Sequence, residues 1–203
     1  MPYQVWPGRD LRLRHRTFPP GQTGLLAIIN RTPDSFYDEG RYLDDQVALS
    51  AVVRAVAQGA DGVDIGGVKA GPGAEVSAEE ELHRVVPFVA AVRSAHPDLL
   101  ISVDTWRAGV ADAACEAGAD LINDAWAGHD PELAAVAGAH GAGYVCAHTG
   151  GHPPRTDPHR VRYDDVVSAA VADLSRQAEA AIAAGVREDG LLIDAAQDFG
   201  KNT

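Results

Sequence analysis

Residues 118–124 read Gly-Ala-Asp-Leu-Ile-Asn-Asp, and this stretch decides the fold. Gly118 can take the left-handed backbone that stops a helix. Leu121-Ile122 is apolar on consecutive positions, as in a strand covered on both faces, and it ends at once in Asn123. The same order recurs along the chain. Gly59-Ala60-Asp61 precedes Gly62-Val63, which leads to Asp64, and Gly141-Ala142-Gly143 precedes Tyr144 to Ala147, which ends in His148. Leu25 to Ile29 ends in Asn30, Leu99 to Val103 in Asp104, and Leu191 to Ile193 in Asp194. In a parallel α/β sheet all strand C-termini lie on one face. Polar residues repeated there point at a ligand rather than at the core.

Between these six runs the pattern switches to helix. Asp44 is placed to N-cap a helix to about Gln58, stopped by Gly59. Ser77-x-x-Glu80 is a capping box, followed by an apolar stripe of Leu82, Val85, Val86, Val89 and Val92, with Pro87 predicting a kink. Trp106 to Glu116, Pro131 to His140 and Asp164 to Ala184 complete the set, each followed by a Gly at 118, 141 or 185. Residues 1–24, broken by Pro19-Pro20-Gly21, read as an N-terminal arm or short irregular cap.

Composition excludes several functions. A net charge of -12 argues against non-specific nucleic-acid binding and against attraction to anionic membranes. No apolar run approaches the roughly 20 residues of a membrane span, and the Arg- and Pro-rich start lacks the core of a signal peptide. Cys115 and Cys146 form no metal or redox motif and read as buried free thiols in a cytoplasmic protein. His148, His152 and His159 are spaced too irregularly to make a metal motif. The only lysines, Lys69 and Lys201, both fall in loops at strand ends.

Two architectures fit repeated βα units: a (β/α)8 (TIM) barrel and an open doubly wound sheet. No GxGxxG turn follows the first strand, and polar residues follow every strand rather than one crevice, which favours the barrel. The chain shows the first six βα units of such a barrel, so it reads as a fragment or truncated product whose first and sixth strands are open edges. Asn30-Arg31-Thr32-Pro33-Asp34-Ser35-Phe36 carries turn chemistry in a long loop. Asp64-Ile65-Gly66-Gly67-Val68-Lys69-Ala70-Gly71-Pro72-Gly73 has glycines that let backbone N–H groups approach a ligand. Ser102-Val103-Asp104-Thr105, Ile122-Asn123-Asp124 and Phe199-Gly200-Lys201 complete the set.

Taken together and in this order, these segments resemble the dihydropteroate synthase family, from about residue 25 to the end. The resemblance implies a pterin-binding domain over residues 25–203 on an incomplete barrel. It implies a transferase of folate biosynthesis that joins 6-hydroxymethyl-7,8-dihydropterin diphosphate to p-aminobenzoate and releases diphosphate. Asn30 then matches the residue that meets Mg2+ and the diphosphate. Asp104, Asn123 and Asp194 match the pterin-recognising residues, and Asp64 lies at a strand end the family also keeps polar. Phe199 is placed to pack on the pterin, Lys201 matches the family lysine, and Lys69 and Pro72 lie on the aminobenzoate side. No protein nucleophile is required. At full length the family is usually homodimeric.

The chain also departs from the pattern. The family's second loop usually reads Gly-Gly-Glu-Ser-Thr-Arg-Pro-Gly, whereas here Val68, Lys69, Ala70 and Gly71 fill the middle. The sixth segment, usually Asp-Pro-Gly-x-Gly-Phe-Gly-Lys, has Asp198 in place of a Gly. The family's basic residues after strands seven and eight lie beyond Thr203. A non-catalytic pterin-binding paralogue, or a partner of a true synthase, is therefore the alternative. A pterin-dependent methyltransferase is a third reading, against which the Thr-Pro-Asp-Ser-Phe loop argues.

Overall fold

The computed structural model describes residues 8–32, 45–156 and 161–197. Asp44, expected as an N-cap, lies outside them, as do the loop from Pro33 to Leu43, His159, Asp198, Phe199 and Lys201. Strands β1 (Leu11–Leu13) and β2 (Arg16–Phe18) form an antiparallel hairpin. Then come β3 (Leu26–Asn30), α1 (Asp45–Ala57), β4 (Gly62–Gly66), α2 (Ala78–Ala95), β5 (Leu100–Asp104), α3 (Ala108–Ala117) and β6 (Leu121–Asp124). They are followed by α4 (Leu133–His140), β7 (Gly143–Ala147), α5 (Val166–Ala183) and β8 (Leu191–Asp194). Strands β3 to β8 lie side by side in chain order, every neighbouring pair parallel. An open doubly wound sheet reverses its strand order at a switch point, and this sheet does not. The architecture is that of consecutive βα units of a barrel: six parallel strands, the first five each followed by a helix among the described residues.

Local chemistry explains the elements. Gly118 and Gly141 end α3 and α4 in left-handed conformations, at φ 116° and 63°. Ser77 caps α2 by accepting from the Glu80 N–H, and the helix runs through Pro87 to Ala95. Its buried face includes Glu81 and Phe88 besides Val85, Val89 and Val92, while Leu82 and Val86 of the expected stripe are only half-buried. Helix α3 starts at Ala108 rather than Trp106 because its cap comes from another loop: Asp130 accepts from the Ala108 N–H at 2.8 Å. One core, with Val63, Ile65, Phe88, Ile101, Val103 and Ile122 at its centre, fills the space between sheet and helices. Cys115 and Cys146 are free and buried, and burial pushes their thiols up to about 11 and about 12.

The stretch expected as an irregular arm is therefore ordered in part. Leu13 and Phe18 of the hairpin pack on Leu100 and Leu121 at the N-terminal end of the sheet. A Cβ on Gly143 would come within 2.3 Å of Leu13, so only glycine leaves room for this plug. The two Gly-Ala-Asp tripeptides do matching work at the same end. Asp61 accepts from the Leu25 N–H at 2.9 Å and pairs with Arg16. Asp120 accepts from the Ile101 N–H at 3.0 Å and pairs with Arg93. Each carboxylate thus holds the start of the preceding strand. At the sides of the sheet, Leu26 and Ile28 of β3 and Ile193 of β8 are exposed, as strands with one unpaired edge leave them.

Asp120→Asn breaks a nearly buried ion pair and is expected to lower stability by about 2–3 kcal/mol. Urea denaturation checks this; a loss below about 0.5 kcal/mol would remove Asp120 from the role.

Candidate functional site

Side chains alternate across a strand, so register decides which of them share a face. Asn30 pairs with Gly66, Gly66 with Asp104, and Asp104 with Asn123. These four positions form one row on the face away from the helices, at the C-terminal end of the sheet. One layer deeper, Ile28, Asp64 and Ser102 are paired. Because Gly66 has no side chain, Asn30 and Asp104 can close over it from the two neighbouring strands. Asn30 Oδ1 lies 3.3 Å and Asp104 Oδ2 3.8 Å from where a Gly66 Cβ would sit. Four of the residues singled out from the sequence, Asn30, Asp64, Asp104 and Asn123, are thereby brought together and half-buried.

The floor is built of carboxylates. Asp64 accepts from Ser102 Oγ and from Asn123 Nδ2, the latter at 3.2 Å, which fixes the Asn123 amide with its oxygen turned away. Burial raises Asp64 above its ordinary range, and these two hydrogen bonds partly offset the rise. Asp104 is pushed well above its ordinary range by burial first, then by the negative charges of Asp64, Glu81 and Asp124. Glu81 is fully buried, accepts from Thr105 Oγ1 at 2.7 Å and pairs with Arg107. Asp124 accepts from the Trp126 and Gly128 N–H groups and from Tyr144 Oη, at 3.0, 2.6 and 2.6 Å. The chemistry of the floor is acceptor-rich, suited to a ligand edge carrying N–H donors.

The remaining predicted residues lie elsewhere. Lys69, half-buried, and Pro72, exposed, sit on the loop between β4 and α2, above the row. Asp194 ends β8, three strands from Asp104; it is exposed, its Oδ1 accepts from the Ala196 N–H at 2.7 Å, and its carbonyl accepts from His148 N–H. Ala196 stands where the resembling motif has its first Gly, and it holds a left-handed φ of 44°. Among the described residues no group of three or more His, Cys, Asp and Glu side chains is placed to hold a metal ion.

Residues 26–203 match the pterin-binding enzyme family. The chain belongs to that family. It is 58% identical over 183 residues to a Mycobacterium tuberculosis protein named inactive dihydropteroate synthase 2, covering 88% of this chain and 58% of that one. It is 38% identical over 184 residues to the Streptococcus pyogenes dihydropteroate synthase, covering 90% and 66%. Its fold matches the crystal structure of Yersinia pestis dihydropteroate synthase in a sulfonamide drug complex, with a TM-score of 0.87 at 34% identity over 95% of this chain and 69% of that one. The chain thus spans about three-fifths to two-thirds of the length of these curated relatives.

Within this family setting, three features escaped sequence reading. Glu81 reads as part of an acidic first helical turn, yet it is buried beside the floor. Arg107 reaches it from the β5–α3 turn and also stacks on Trp106, 4.6 Å from the ring centre. Trp106 and Trp126, each two residues beyond the last residue of its strand, meet edge to face with centroids 6.3 Å apart. The one available signal was that each follows a strand-end polar residue, in Asp104-Thr105-Trp106 and Asp124-Ala125-Trp126.

Asp104 binds its proton more tightly folded than unfolded, because its folded pKa is the higher one. Native protein therefore holds more protons between the ordinary carboxylate pKa and the raised one, and stability falls as pH rises through that window. Asp104→Asn is expected to flatten this fall and to be more stable than the parent at neutral pH; urea midpoints at about pH 4, 6 and 8 check it. Ala196→Gly is expected to stabilise by about 1 kcal/mol by removing the left-handed penalty, read by the same titration.

Proposed function

We propose that the row Asn30, Asp104 and Asn123, with Asp64 beneath it and Asp194 beyond it, is a pterin site. The protein carrying this chain is then a dihydropteroate synthase-like transferase of folate biosynthesis. It condenses 6-hydroxymethyl-7,8-dihydropterin diphosphate with p-aminobenzoate to give 7,8-dihydropteroate and diphosphate. The observation that carries the reading is the pairing, in one row at the C-terminal end of the sheet, of a raised carboxyl, Asp104, with an amide oriented by Asp64, Asn123. A pterin edge offers ring N–H and amino donors beside a carbonyl acceptor. A carboxylate accepts from the donors, and an amide serves both kinds of group.

Loss of diphosphate leaves a positive pterin methylene, and the buried carboxylates Asp64 and Asp104 are placed to stabilise that charge. The amine of p-aminobenzoate then supplies the electron pair, so no protein nucleophile is needed. Asn30 Oδ1, beside Gly66 in the same row, suits a hard cation such as Mg2+, which takes one or two protein oxygens and completes its shell with phosphate and water. Bound there, Mg2+ would neutralise charge on the departing diphosphate. Phe199 and Lys201, which follow Asp194 in the chain, are assigned to the pterin side, and Lys69 and Pro72 to the aminobenzoate side. The protein is placed in the cytoplasm and, at full length, in a homodimer.

A second reading, a non-catalytic pterin-binding paralogue or partner of a true synthase, is favoured by one observation. Val68 stands where the family has Glu and is buried against Trp106 and Trp126. The Mycobacterium tuberculosis relative named inactive agrees with it.

Titration calorimetry with dihydropterin diphosphate and Mg2+, followed by p-aminobenzoate, separates the two. Sequential binding with formation of dihydropteroate supports the transferase, and pterin binding without turnover supports the paralogue. Asp104→Asn and Asn123→Ala are each expected to weaken pterin binding about 10- to 100-fold. Unchanged affinity in both variants would take the pterin away from this row.

A further inference from the structure

The loop between β4 and α2, residues 67–77, is tied down by three arginines from three other places in the fold. Arg84 of α2 donates to the Gly67 carbonyl at 3.0 Å. Arg107, from the β5–α3 turn, donates to the Val76 carbonyl at 2.7 Å. Arg155, from the segment between β7 and α5, donates Nε–H to the Gly71 carbonyl at 3.3 Å and Nη1–H to the Ala74 carbonyl. Beneath the loop, Val68 and Val76 pack on the Trp106–Trp126 pair.

The first two ties hold the ends of the loop and come from close neighbours of β4. The third differs from them. It holds the middle of the loop, and it comes from the far side of the sheet. Strands β4 and β7 are separated by β5 and β6, the strands that carry Asp104 and Asn123. At about 4.8 Å per strand, a link between the β4 loop and the β7 segment spans roughly 14 Å along the rim. Arg155 also holds a left-handed φ of 63°, uncommon for a residue with a Cβ. Its planar fork reaches two carbonyls at once, which the point charge of a lysine does not.

The geometry points to Arg155 as a specificity-determining latch. It fastens the second loop to the β7–α5 segment and closes the rim of the pocket from β4 to β7. The ties end on backbone carbonyls, so they hold the loop whatever side chains it carries. The part of this inference that concerns p-aminobenzoate rests on the pterin-site reading above; the latch itself does not.

The test uses the single lysine of the loop. Trypsin cuts after Lys69 only when the loop opens enough to enter a protease. Cleavage at Lys69–Ala70, followed by mass spectrometry, is compared for the parent chain, Arg155→Ala and Arg155→Lys. The latch predicts cleavage about tenfold faster in Arg155→Ala, with Arg155→Lys between Ala and parent, while cuts after Arg54 of α1 and Arg93 of α2 keep their rates. Equal rates at Lys69 in all three proteins overturn it. So does a general rise at Arg54 and Arg93 in both variants, which would give Arg155 a role in overall stability instead. Calorimetry then reads the ligands: Arg155→Ala is expected to change the p-aminobenzoate affinity of the pterin-loaded protein by at least about fivefold, with pterin affinity within about twofold. Faster cleavage with unchanged p-aminobenzoate affinity leaves a latch without a specificity role and overturns that part. Parent protein that binds no pterin refutes the pterin reading, while the cleavage rates still decide the latch.

Discussion

Burial of carboxylates under one end of a parallel sheet is the constraint around which this chain is arranged. Asp64, Glu81 and Asp124 each have donors: Ser102 and Asn123 for the first, Thr105 and Arg107 for the second, and two loop N–H groups with Tyr144 for the third. Asp104 is raised by burial and by the charges of these three. A carboxyl in that position works against the ionised folded state. Among the described residues its side chain has no hydrogen-bond donor, and the N–H donors of a ligand would suit it. The donors given to the other three also fix Asn123, the Trp126 turn and the root of α3. Satisfying the deeper acids therefore shapes the floor around Asp104.

The opposite end of the sheet handles the same residue type in the opposite way. Asp61 and Asp120 accept from the N–H groups of Leu25 and Ile101 and pair with Arg16 and Arg93. Arg14 of the β1–β2 turn donates to the carbonyls of Cys115 and Ala119 at 3.1 and 2.7 Å, closing the α3–β6 corner. Charges at the N-terminal end are thus matched by counter-charges and backbone donors, and they contribute to stability. At the C-terminal end burial raises Asp64, Glu81, Asp104 and Asp124, and the other three charges raise Asp104 further. In this chain the two ends divide stability from chemistry, as the barrel architecture allows.

Much of this was readable in the sequence because each βα unit carries its own local signals. A Gly stops the helix, a short apolar run makes the strand, and a polar residue ends it. Register then places Asn30 and Asp104, the last residues of their strands, in one row with Asn123, the last but one of its own, so the row followed from the same pattern that gave the fold. The parts that could not be read depend on contacts between distant segments. The α3 start moved because Asp130 caps it from another loop. The hairpin was missed because Leu11-Arg12-Leu13 and Arg16-Thr17-Phe18 are too short for an alternation to stand out. The burial of Glu81 leaves no local signal because its partners Thr105 and Arg107 lie beyond the next strand. The arginine ties end on backbone carbonyls, which leave no mark on the residue types of the loop they hold.

That last point bears on how the two halves of such a site can change independently. The floor is set by strand register, and a one-residue slip would turn every inward side chain outward. Its residues are therefore bound to the fold. The second loop is held at Gly67, Gly71, Ala74 and Val76 through carbonyl oxygens alone, by arginines on three separate elements. Val68 and Val76 of the loop also pack on the Trp pair. In place of the family's Glu, Thr and Arg stand Val68, Ala70 and Gly71, and the loop is still ordered by its backbone. Recognition of a second substrate through loop side chains can thus be altered while the carboxylate floor, three strands wide and fixed by its own hydrogen bonds, keeps its geometry.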